Sequence, residues 1–375
     1  MNGQDFDVVI VGAGVVGAAC ARECSLAAMR VAVVEEQMIG GGATAAGMGH
    51  IVVMDDSEPQ FALTRYSQLL WRELLPQLPR EVEYESCGTI WVAADQEEMQ
   101  AVASKHAFYR ARGVPAEVLD AHQLTQAEPQ LRAGLAGGLL VPEDAVLYPP
   151  AAATWLLSRA RSQGAVLQVG RKVTQITGEG VHLSDGSWIR AGVVVNATGA
   201  WAPSLTPGLQ VRKRKGHLVI TDRYPGFLRH QLVELGYLKS AHSVTADSVA
   251  FNVQPRITGQ ILIGSSRQYG NEDTTVDRQI VRAMLERACA YMPAIGSLNA
   301  IRCWTGFRAA TPDKLPLIGP SAKRGIHLAT GHEGLGITTS LATGRLIADQ
   351  LLDRPPAIPL EPYLPARAEL EVAHA

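Results

Sequence analysis

The chain has few cysteines for its length, and they are scattered. Its 375 residues contain five, Cys20, Cys24, Cys87, Cys289 and Cys303, with no C-x-x-C pair among them. Iron–sulfur clusters and structural zinc sites need closely spaced groups of thiolate or imidazole ligands. We therefore expect no metal site and no cluster in this chain, and we expect Cys20 and Cys24 to pack as small apolar side chains.

An excess of basic residues and a long apolar segment are also missing. Lysine and arginine total 34 against 36 acidic residues, so nothing draws the chain as a whole to nucleic-acid phosphates. No apolar run approaches the roughly 20 residues that a membrane-spanning helix needs. The first residues are acidic and lack the basic flank of a signal peptide. We expect no nucleic-acid partner, no transmembrane segment and a cytoplasmic location.

The overall composition is that of a folded globular protein. Hydrophobic residues make up 47% and charged residues 19% of the chain, which excludes disordered and fibrous classes. A length of 375 residues predicts two domains.

The N-terminal region has the order strand, glycine turn, helix, strand and acid. Residues 7–11 are an apolar run typical of a buried parallel strand. Gly12, Gly14 and Gly17 then open a helix, and a second apolar run ends at Glu35. In a dinucleotide-binding turn these glycines permit the bend, the approach of a pyrophosphate and close helix packing, while the acid accepts from ribose hydroxyls. Glu35 favours FAD or NAD over a cofactor with a 2′-phosphate.

Further glycine-rich turns suggest more contacts with an extended ligand. Residues 40–49 are almost all small and uncharged, as expected of backbone lying along such a ligand. A late strand at 326–329 leads through a glycine turn, 331–336, into a helix at 337–352, whose N-terminus can stabilise negative charge. Apolar periodicity also predicts helices at 60–78, 151–161 and 276–291.

Several segments resemble the FAD-dependent amine oxidoreductases of the D-amino acid oxidase, glycine oxidase and sarcosine oxidase superfamily. They are VIVGAGVVG at 9–17, AAGM at 45–48, ATGAW at 197–201, GFRAATPDKLPLIG at 306–319 and TGHEGLGIT at 330–338. The resemblance implies a mixed α/β fold in which a Rossmann-like FAD-binding domain is interleaved with a smaller antiparallel-sheet substrate domain. We assign residues 1–80, 143–211 and 312–375 to the FAD-binding domain and residues 81–142 and 212–311 to the substrate-binding domain.

The same resemblance implies a set of cofactor contacts along most of the chain. The expected residues are Gly12, Gly14, Val15, Val16, Gly17, Glu35, Glu36, Thr44, Ala45, Ala46, Gly47, Met48, Val173, Gly199, Trp201, Gly331, His332, Gly334, Leu335, Gly336, Ile337 and Thr338. Sarcosine oxidases carry a flavin-linked cysteine just before T-P-D, whereas Arg308, Ala309 and Ala310 stand there in this sequence. We therefore expect FAD to be bound noncovalently.

For the substrate, Arg308 in G-F-R matches the arginine that binds the substrate carboxylate in the superfamily. A planar guanidinium can hold a carboxylate through two hydrogen bonds and so fix the Cα–H bond against flavin N5.

Met48, His50, Asn252 and Arg267 complete the expected catalytic set. Asn252 stands where glycine oxidases have an aromatic residue, and its amide could bind a ring hydroxyl or the carboxylate. Arg267 stands where sarcosine oxidases have the lysine that assists oxygen reduction, which leaves oxidase against dehydrogenase open. Tyr66, Glu333 and Tyr269 are further pocket candidates, expected to be structural, and His332 is expected to matter mainly through its backbone.

A narrower resemblance comes from AGMGHIVVMDD at 46–56, which is most similar to the flavin-bearing β subunit of bacterial D-hydroxyproline dehydrogenase. It implies hydride transfer from a D-amino acid, cis-4-hydroxy-D-proline, to the flavin, giving a cyclic imine. It also implies a hetero-oligomer with an α flavoprotein subunit and a ferredoxin-like [2Fe–2S] subunit that take the electrons. Whether FMN lies at a subunit interface stays open.

Other functions within the same fold also stay open. They are a glycine, sarcosine or D-amino acid oxidase that uses oxygen directly, an opine-oxidising subunit, and a flavoprotein kept for assembly alone. The basic run 212–215 either faces a partner or a second flavin's phosphate, or is a solvated strand edge.

Overall fold

The computed structural model describes residues 6–236 and 247–367. These residues form two large β-sheets, a two-stranded ladder and helices packed around them. The strands are β1 (Phe6–Val11), β2 (Val31–Glu35), β3 (His50–Ile51), β4 (Thr89–Ala93), β5 (Glu117–Asp120), β6 (Gly137–Val141), β7 (Ala145–Val146), β8 (Val166–Val169), β9 (Val173–Thr177), β10 (Gly180–Leu183), β11 (Trp188–Asn196), β12 (Arg212–Thr221), β13 (Gln231–Glu234), β14 (Ser248–Pro255), β15 (Ile261–Arg267), β16 (Ala300–Ala310), β17 (Leu317–Pro320) and β18 (Ile326–Thr330). The helices are α1 (Val15–Leu26), α2 (Gly42–Ala46), α3 (Glu58–Leu74), α4 (Gln96–Ala111), α5 (Ala121–Ala127), α6 (Pro149–Ser162), α7 (Ala202–Leu205), α8 (Arg278–Tyr291) and α9 (Gly336–Leu351).

The first sheet has the strand order β17-β18-β11-β1-β2-β8, and β1 is parallel to both of its neighbours. Burial on both faces explains the unbroken apolar run at 7–11. Val8 and Ile10 belong to the core that contains α1, α6 and α9, whereas Val9 and Val11 belong to a second core with the β9–β10 hairpin. The predicted Rossmann-like arrangement is therefore confirmed.

The second sheet has the order β16-β12-β15-β14-β13-β4-β6-β5 and is antiparallel except between β4 and β13. Helix α8 packs against β14 and β15 and closes a separate hydrophobic core. All strands of the first sheet fall within 1–80, 143–211 and 312–375, and all strands of the second fall within 81–142 and 212–311.

Two local predictions differ from the structure. Helix α3 ends at Leu74, and residues 75–77 form a 3₁₀ turn, because Pro76 and Pro79 cannot continue the α-helix. Residues 40–49, expected to lie along an extended ligand, also contain the short helix α2, which was not predicted, and a Cβ at Gly47 would lie 2.8 Å from Ile337 Cδ1. The small residues therefore serve close packing against α9 as well as any ligand.

Two further findings concern cysteines and membranes. Cys20 and Cys24 are buried on α1, and burial raises the pKa of Cys24 to about 12. In the described parts of the chain, no helix has the length and apolar character needed to cross a membrane.

Candidate active site

A cavity of about 820 Å³ lies between the two sheets. One end is formed by the turn between β1 and α1 together with Glu35. Its wall then follows α2 and the segment around Gly199, and the other end is formed by the face of the second sheet and the N-terminus of α9. The cavity thus extends from the glycine turn after β1 to the face of the second sheet.

The glycines of the first turn are required by close backbone contacts. Gly12 has φ +104°, and a Cβ there would lie 2.7 Å from the carbonyl oxygen of Ala197. A Cβ at Gly17 would lie 2.0 Å from the carbonyl oxygen of Gly12. Gly12 therefore allows the bend and Gly17 allows α1 to begin against it, while Gly14 lines the cavity.

Two side chains hold this turn in place. The backbone N–H groups of Ala13 and Gln37 each donate to Glu35, to Oε2 and Oε1 respectively, both at 2.8 Å. The N–H of Val15, at the start of α1, donates to Thr44 Oγ1 at 3.0 Å. Thr44 lies on α2, so this hydrogen bond joins the second glycine-rich segment to the first.

The residues at this end fit an extended dinucleotide such as FAD. The N-termini of α1 and α9 both line the cavity, and helix N-termini favour phosphate and other anions. Val173, Gly199 and Trp201 line the stretch beside the turn, with Trp201 42% exposed at its rim. Ala46, Gly47 and Met48 lead from there to the second sheet.

His332 precedes α9, and its imidazole is bonded within the protein. His332 Nε2 lies 2.9 Å from Thr343 Oγ1 within the protein, and burial lowers the pKa of His332 to about 3. This contact supports the expectation that His332 acts through its backbone.

Arg308 lies on β16 directly opposite Arg214 on β12. Its Nη1 donates to the carbonyl oxygen of Ser266 at 3.0 Å. A Cβ at Gly216 would lie 2.3 Å from that Nη1, so the guanidinium covers Gly216. The missing side chain at Gly216 is what gives the guanidinium its place in the cavity wall.

The basic run 212–215 does not form a solvated strand edge. It lies in β12, which is flanked by β16 and β15. Arg214 forms a buried ion pair with Glu333, and Lys215 Nζ lies 2.9 Å from Asp273 Oδ1. Within this run Arg212 is exposed, Lys213 is half-buried, and Arg214 and Lys215 are buried.

Glu333 has a left-handed backbone conformation, φ +51°, and its N–H donates to the carbonyl oxygen of Ala309 at 3.0 Å. Burial raises the pKa of Glu333, against the opposing effect of Arg214 and the nearby Arg308 and Arg267. The ion pair with Arg214 holds the Glu333 side chain beside these arginines.

His50 lines the cavity beside the start of α9. Its Nε2 is 3.2 Å from the carbonyl oxygen of Gly334, and since a carbonyl only accepts, Nε2 carries the hydrogen. Burial, with a smaller contribution from Arg308, holds the pKa of His50 at about 4. The imidazole is therefore neutral near pH 7.

Most of the residues expected from the sequence line this cavity. Those that do are Gly12, Gly14, Val15, Val16, Glu35, Glu36, Thr44, Ala46, Gly47, Met48, His50, Val173, Gly199, Trp201, Asn252, Arg267, Arg308, His332, Glu333, Gly334, Leu335, Gly336 and Ile337. Those that lie behind the wall are Gly17, Ala45, Gly331, Thr338, Tyr66 and Tyr269.

The residues behind the wall have structural surroundings. Gly17 packs on Gly12, and Ala45 is exposed on the outer side of α2. A Cβ at Gly331 would meet Thr311 Cγ2 at 2.7 Å. Thr338 Oγ1 donates to the carbonyl oxygen of His50 at 2.8 Å and so holds β3 against α9. Tyr269 accepts a hydrogen bond from Arg214.

The structure also brings in residues that the sequence did not single out. Trp91, Gln231, Val233, Leu218 and Gly216 all line the cavity from the second sheet. None of them belongs to a sequence motif that predicts a binding site. Only the pairing of distant strands places them together.

The sequence model of the FAD dependent oxidoreductase family matches residues 7–350. Glycine oxidase from Geobacillus kaustophilus is 31% identical over 374 residues, covering 96% of each chain. Its crystal structure superposes with a TM-score of 0.87, covering 96% of this chain and 98% of that one. Hydrogen cyanide synthase subunit HcnC from Pseudomonas aeruginosa is 28% identical over 424 residues, with 99% and 98% covered. D-amino acid dehydrogenase from Xylella fastidiosa is 29% identical over 305 residues, with 78% and 67% covered.

Proposed function

Since the chain belongs to the FAD-dependent oxidoreductase family and is an amino-acid oxidoreductase, we propose that it is a dehydrogenase of D-amino acids. The proposed substrate is cis-4-hydroxy-D-proline, which loses a hydride from Cα and a proton from nitrogen to give the cyclic imine. Noncovalent FAD supplies the hydride acceptor when bound. The chain's own residues bind the substrate, orient it and exclude water.

The observation that carries this proposal is the position of Arg308. Its guanidinium covers Gly216 in the wall of the cavity, near the N-terminus of α9 and Met48. Arg214, Arg267 and Lys314 also line this region, with Glu333 as the acidic residue among them. A substrate carboxylate is favoured there, because a bidentate guanidinium contact fixes both its position and its plane.

In this proposal, the region of each sheet binds a different molecule. Residues 1–80, 143–211 and 312–375 bind FAD, and residues 81–142 and 212–311 bind the substrate. The glycine turn at Gly12, the amides held by Glu35 and Thr44, and the start of α9 support the first assignment. Arg308, Arg267 and Asn252 in the second sheet support the other.

We further propose that the electrons leave through partner subunits in the cytoplasm. A relative is named as a subunit of hydrogen cyanide synthase, and another as a dehydrogenase, which supports an acceptor other than oxygen. The proposed partners are an α flavoprotein subunit and a ferredoxin-like [2Fe–2S] subunit. Direct use of oxygen is the second candidate, favoured by the likeness to glycine oxidase.

Anaerobic reduction of the flavin tests the proposal. The holoenzyme is mixed with D- and L-proline, the hydroxyprolines, glycine, sarcosine and opines, and the loss of flavin absorbance is followed. We expect the fastest loss with cis-4-hydroxy-D-proline and little hydrogen peroxide in air. Peroxide release matching turnover would favour the oxidase, and flavin that no amino acid reduces would contradict the proposal.

Arg308→Ala and Arg308→Lys test the carboxylate contact. Both variants should keep FAD and lose most of kcat/KM. Arg282→Ala is the matched control, because Arg282 is an exposed arginine that pairs with Glu286 on the same helix, and it should keep full activity. Normal turnover in Arg308→Ala would contradict the site assignment.

A further inference from the structure

Three buried polar side chains on the second sheet point to a second part of the substrate site. Asn252 Oδ1, Gln231 Oε1 and Trp91 Nε1 have no hydrogen-bond partner within residues 6–236 and 247–367. The residues are 7%, 3% and 3% exposed, and all three line the cavity. Buried polar groups are rarely left unpaired, because desolvation without a hydrogen bond costs free energy. Three such groups in one wall indicate a ligand that pairs with them.

The three residues share one face of neighbouring strands. Val233 on β13 pairs with Trp91 on β4 and with Asn252 on β14. Gln231 is two residues before Val233 and therefore faces the same side of the sheet. Since neighbouring strands are about 4.8 Å apart, the three side chains border one patch. We call Trp91, Gln231 and Asn252 the amide–indole subsite.

The patch lies within the reach of a small substrate bound at Arg308. The guanidinium covers Gly216, and Leu218 is two residues further along β12, about 6.7 Å away. Gly264 lies between Leu218 and Asn252, since it pairs with Asn252 and a Cβ there would meet Leu218 Cδ2 at 2.9 Å. The side chains of Leu218 and Met48 pack over Gly264, and both line the cavity between Arg308 and the amide–indole subsite.

We infer that the amide–indole subsite selects amino acids with a neutral hydrogen-bonding substituent, a hydroxyl group above all. This inference rests on the proposed function and names the substrate class of that same site. A hydroxyl donates to an amide oxygen and accepts from the indole N–H, whereas a methyl group in its place leaves these groups unpaired. None of the three side chains carries a charge, and Lys105, whose Nζ lies 4.2 Å from the centroid of the Trp91 ring, is paired with Asp55. An ionised substituent would therefore lose its hydration without an opposite charge from this subsite.

Matched substrate pairs test the inference on the FAD-loaded enzyme. The pairs are cis-4-hydroxy-D-proline with D-proline, D-serine with D-alanine, and D-threonine with D-valine. We expect kcat/KM to favour the hydroxylated member of at least one pair by about tenfold or more. Gln231→Met, Trp91→Phe and Asn252→Leu should each reduce that preference by about tenfold, mainly through the hydroxylated substrate.

Trp71→Phe is the matched control. Trp71 is also a buried tryptophan with an unpartnered Nε1, but it lies in the core around α1 and does not line the cavity. It should leave the preference unchanged. The absorbance of bound FAD shows whether each variant is folded. If one of the three variants lacks FAD, the substrate preferences of the other two test the inference.

Two results would overturn the inference. The first is an equal kcat/KM for both members of every substrate pair. The second is a preference for the hydroxylated substrate that none of the three variants changes. Either result would leave the proposed oxidation of D-amino acids intact. Failure of every amino acid to reduce the flavin would instead remove the proposed function, and this inference with it.

Discussion

The carboxylate of Glu333 and the guanidinium of Arg214 form an ion pair in the cavity wall, with 7% and 8% of their side chains exposed. The pair joins the segment before α9 to the first part of β12. It therefore links the part of the wall assigned to FAD with the part assigned to the substrate. Around it, Arg308, Arg267 and Lys314 add positive charge, which makes this end of the cavity favourable for an anion.

Removing one charge of this pair should destabilise the protein strongly. Glu333→Gln leaves Arg214 buried beside other cations, and breaking a buried pair in this way costs about 3 kcal/mol or more. The double variant Arg214→Met with Glu333→Met should recover much of the loss, since no buried charge is left unpaired. Denaturant unfolding of the wild type, Glu333→Gln and the double variant measures both effects.

The control is Glu286→Gln, which breaks the exposed pair with Arg282 and should change the free energy of unfolding by less than about 1 kcal/mol. A loss in Glu333→Gln no larger than in this control would contradict the structural importance of the buried pair.

Gly17→Ala should prevent FAD binding. The new Cβ would lie 2.0 Å from the carbonyl oxygen of Gly12, so the turn or the start of α1 must shift away from the pyrophosphate. Gly296→Ala is the control, since its Cβ would meet Cys289 Sγ at an ordinary 3.6 Å. Flavin absorbance after desalting measures the effect. Full FAD content in Gly17→Ala would show that the turn tolerates the added carbon.

The first sheet could be predicted from the sequence because its signals are local. The apolar run at 7–11, the three glycines and Glu35 follow one another within 35 residues. Each has a steric or hydrogen-bonding reason that the structure makes visible, as in the contact of Gly17 with Gly12. Helix α3 ended early because prolines outweighed its apolar pattern.

The substrate end could be predicted only in part, because it is built from strands far apart in the chain. Arg308 was marked by the G-F-R segment, whereas Gln231 and Trp91 carry no local signal. The burial of Arg214 and Lys215 in the run 212–215 could not be predicted for the same reason. Four consecutive cations suggest solvent, but Asp273 and Glu333, which neutralise Lys215 and Arg214, are distant in sequence and close only after folding.

Thr44→Val should weaken FAD binding by about tenfold, because the N–H of Val15 loses its acceptor and α2 loses its hydrogen bond to the glycine turn. Thr44→Ser keeps the hydroxyl and should bind FAD nearly as well as the wild type. Titration of the apoprotein, followed by flavin fluorescence, gives the dissociation constants. Equal constants for the valine and serine variants would show that this hydrogen bond does not hold the site.

Asp144 should make the protein less stable as the pH rises from about 4 to 7. It is 1% exposed, and its Oδ1 accepts from the N–H of Val53 and from Gln68 Nε2. Burial raises the pKa of Asp144 from 3.8 to about 7. The folded protein therefore holds a proton that the unfolded chain has released in this range, so stability falls as the pH rises through it.

Asp144→Asn removes this titration but keeps an oxygen acceptor for Val53 and Gln68. Relative to the wild type, it should gain on the order of 3 kcal/mol between pH 4 and pH 7, since each pH unit of such a difference is worth about 1.4 kcal/mol. Urea unfolding at both pH values measures the gain. Glu117→Gln, an exposed change on β5, is the control and should follow the wild type. If the gain of Asp144→Asn were the same at both pH values, the carboxyl group would be ionised throughout, and its burial would be compensated by the neighbouring donors.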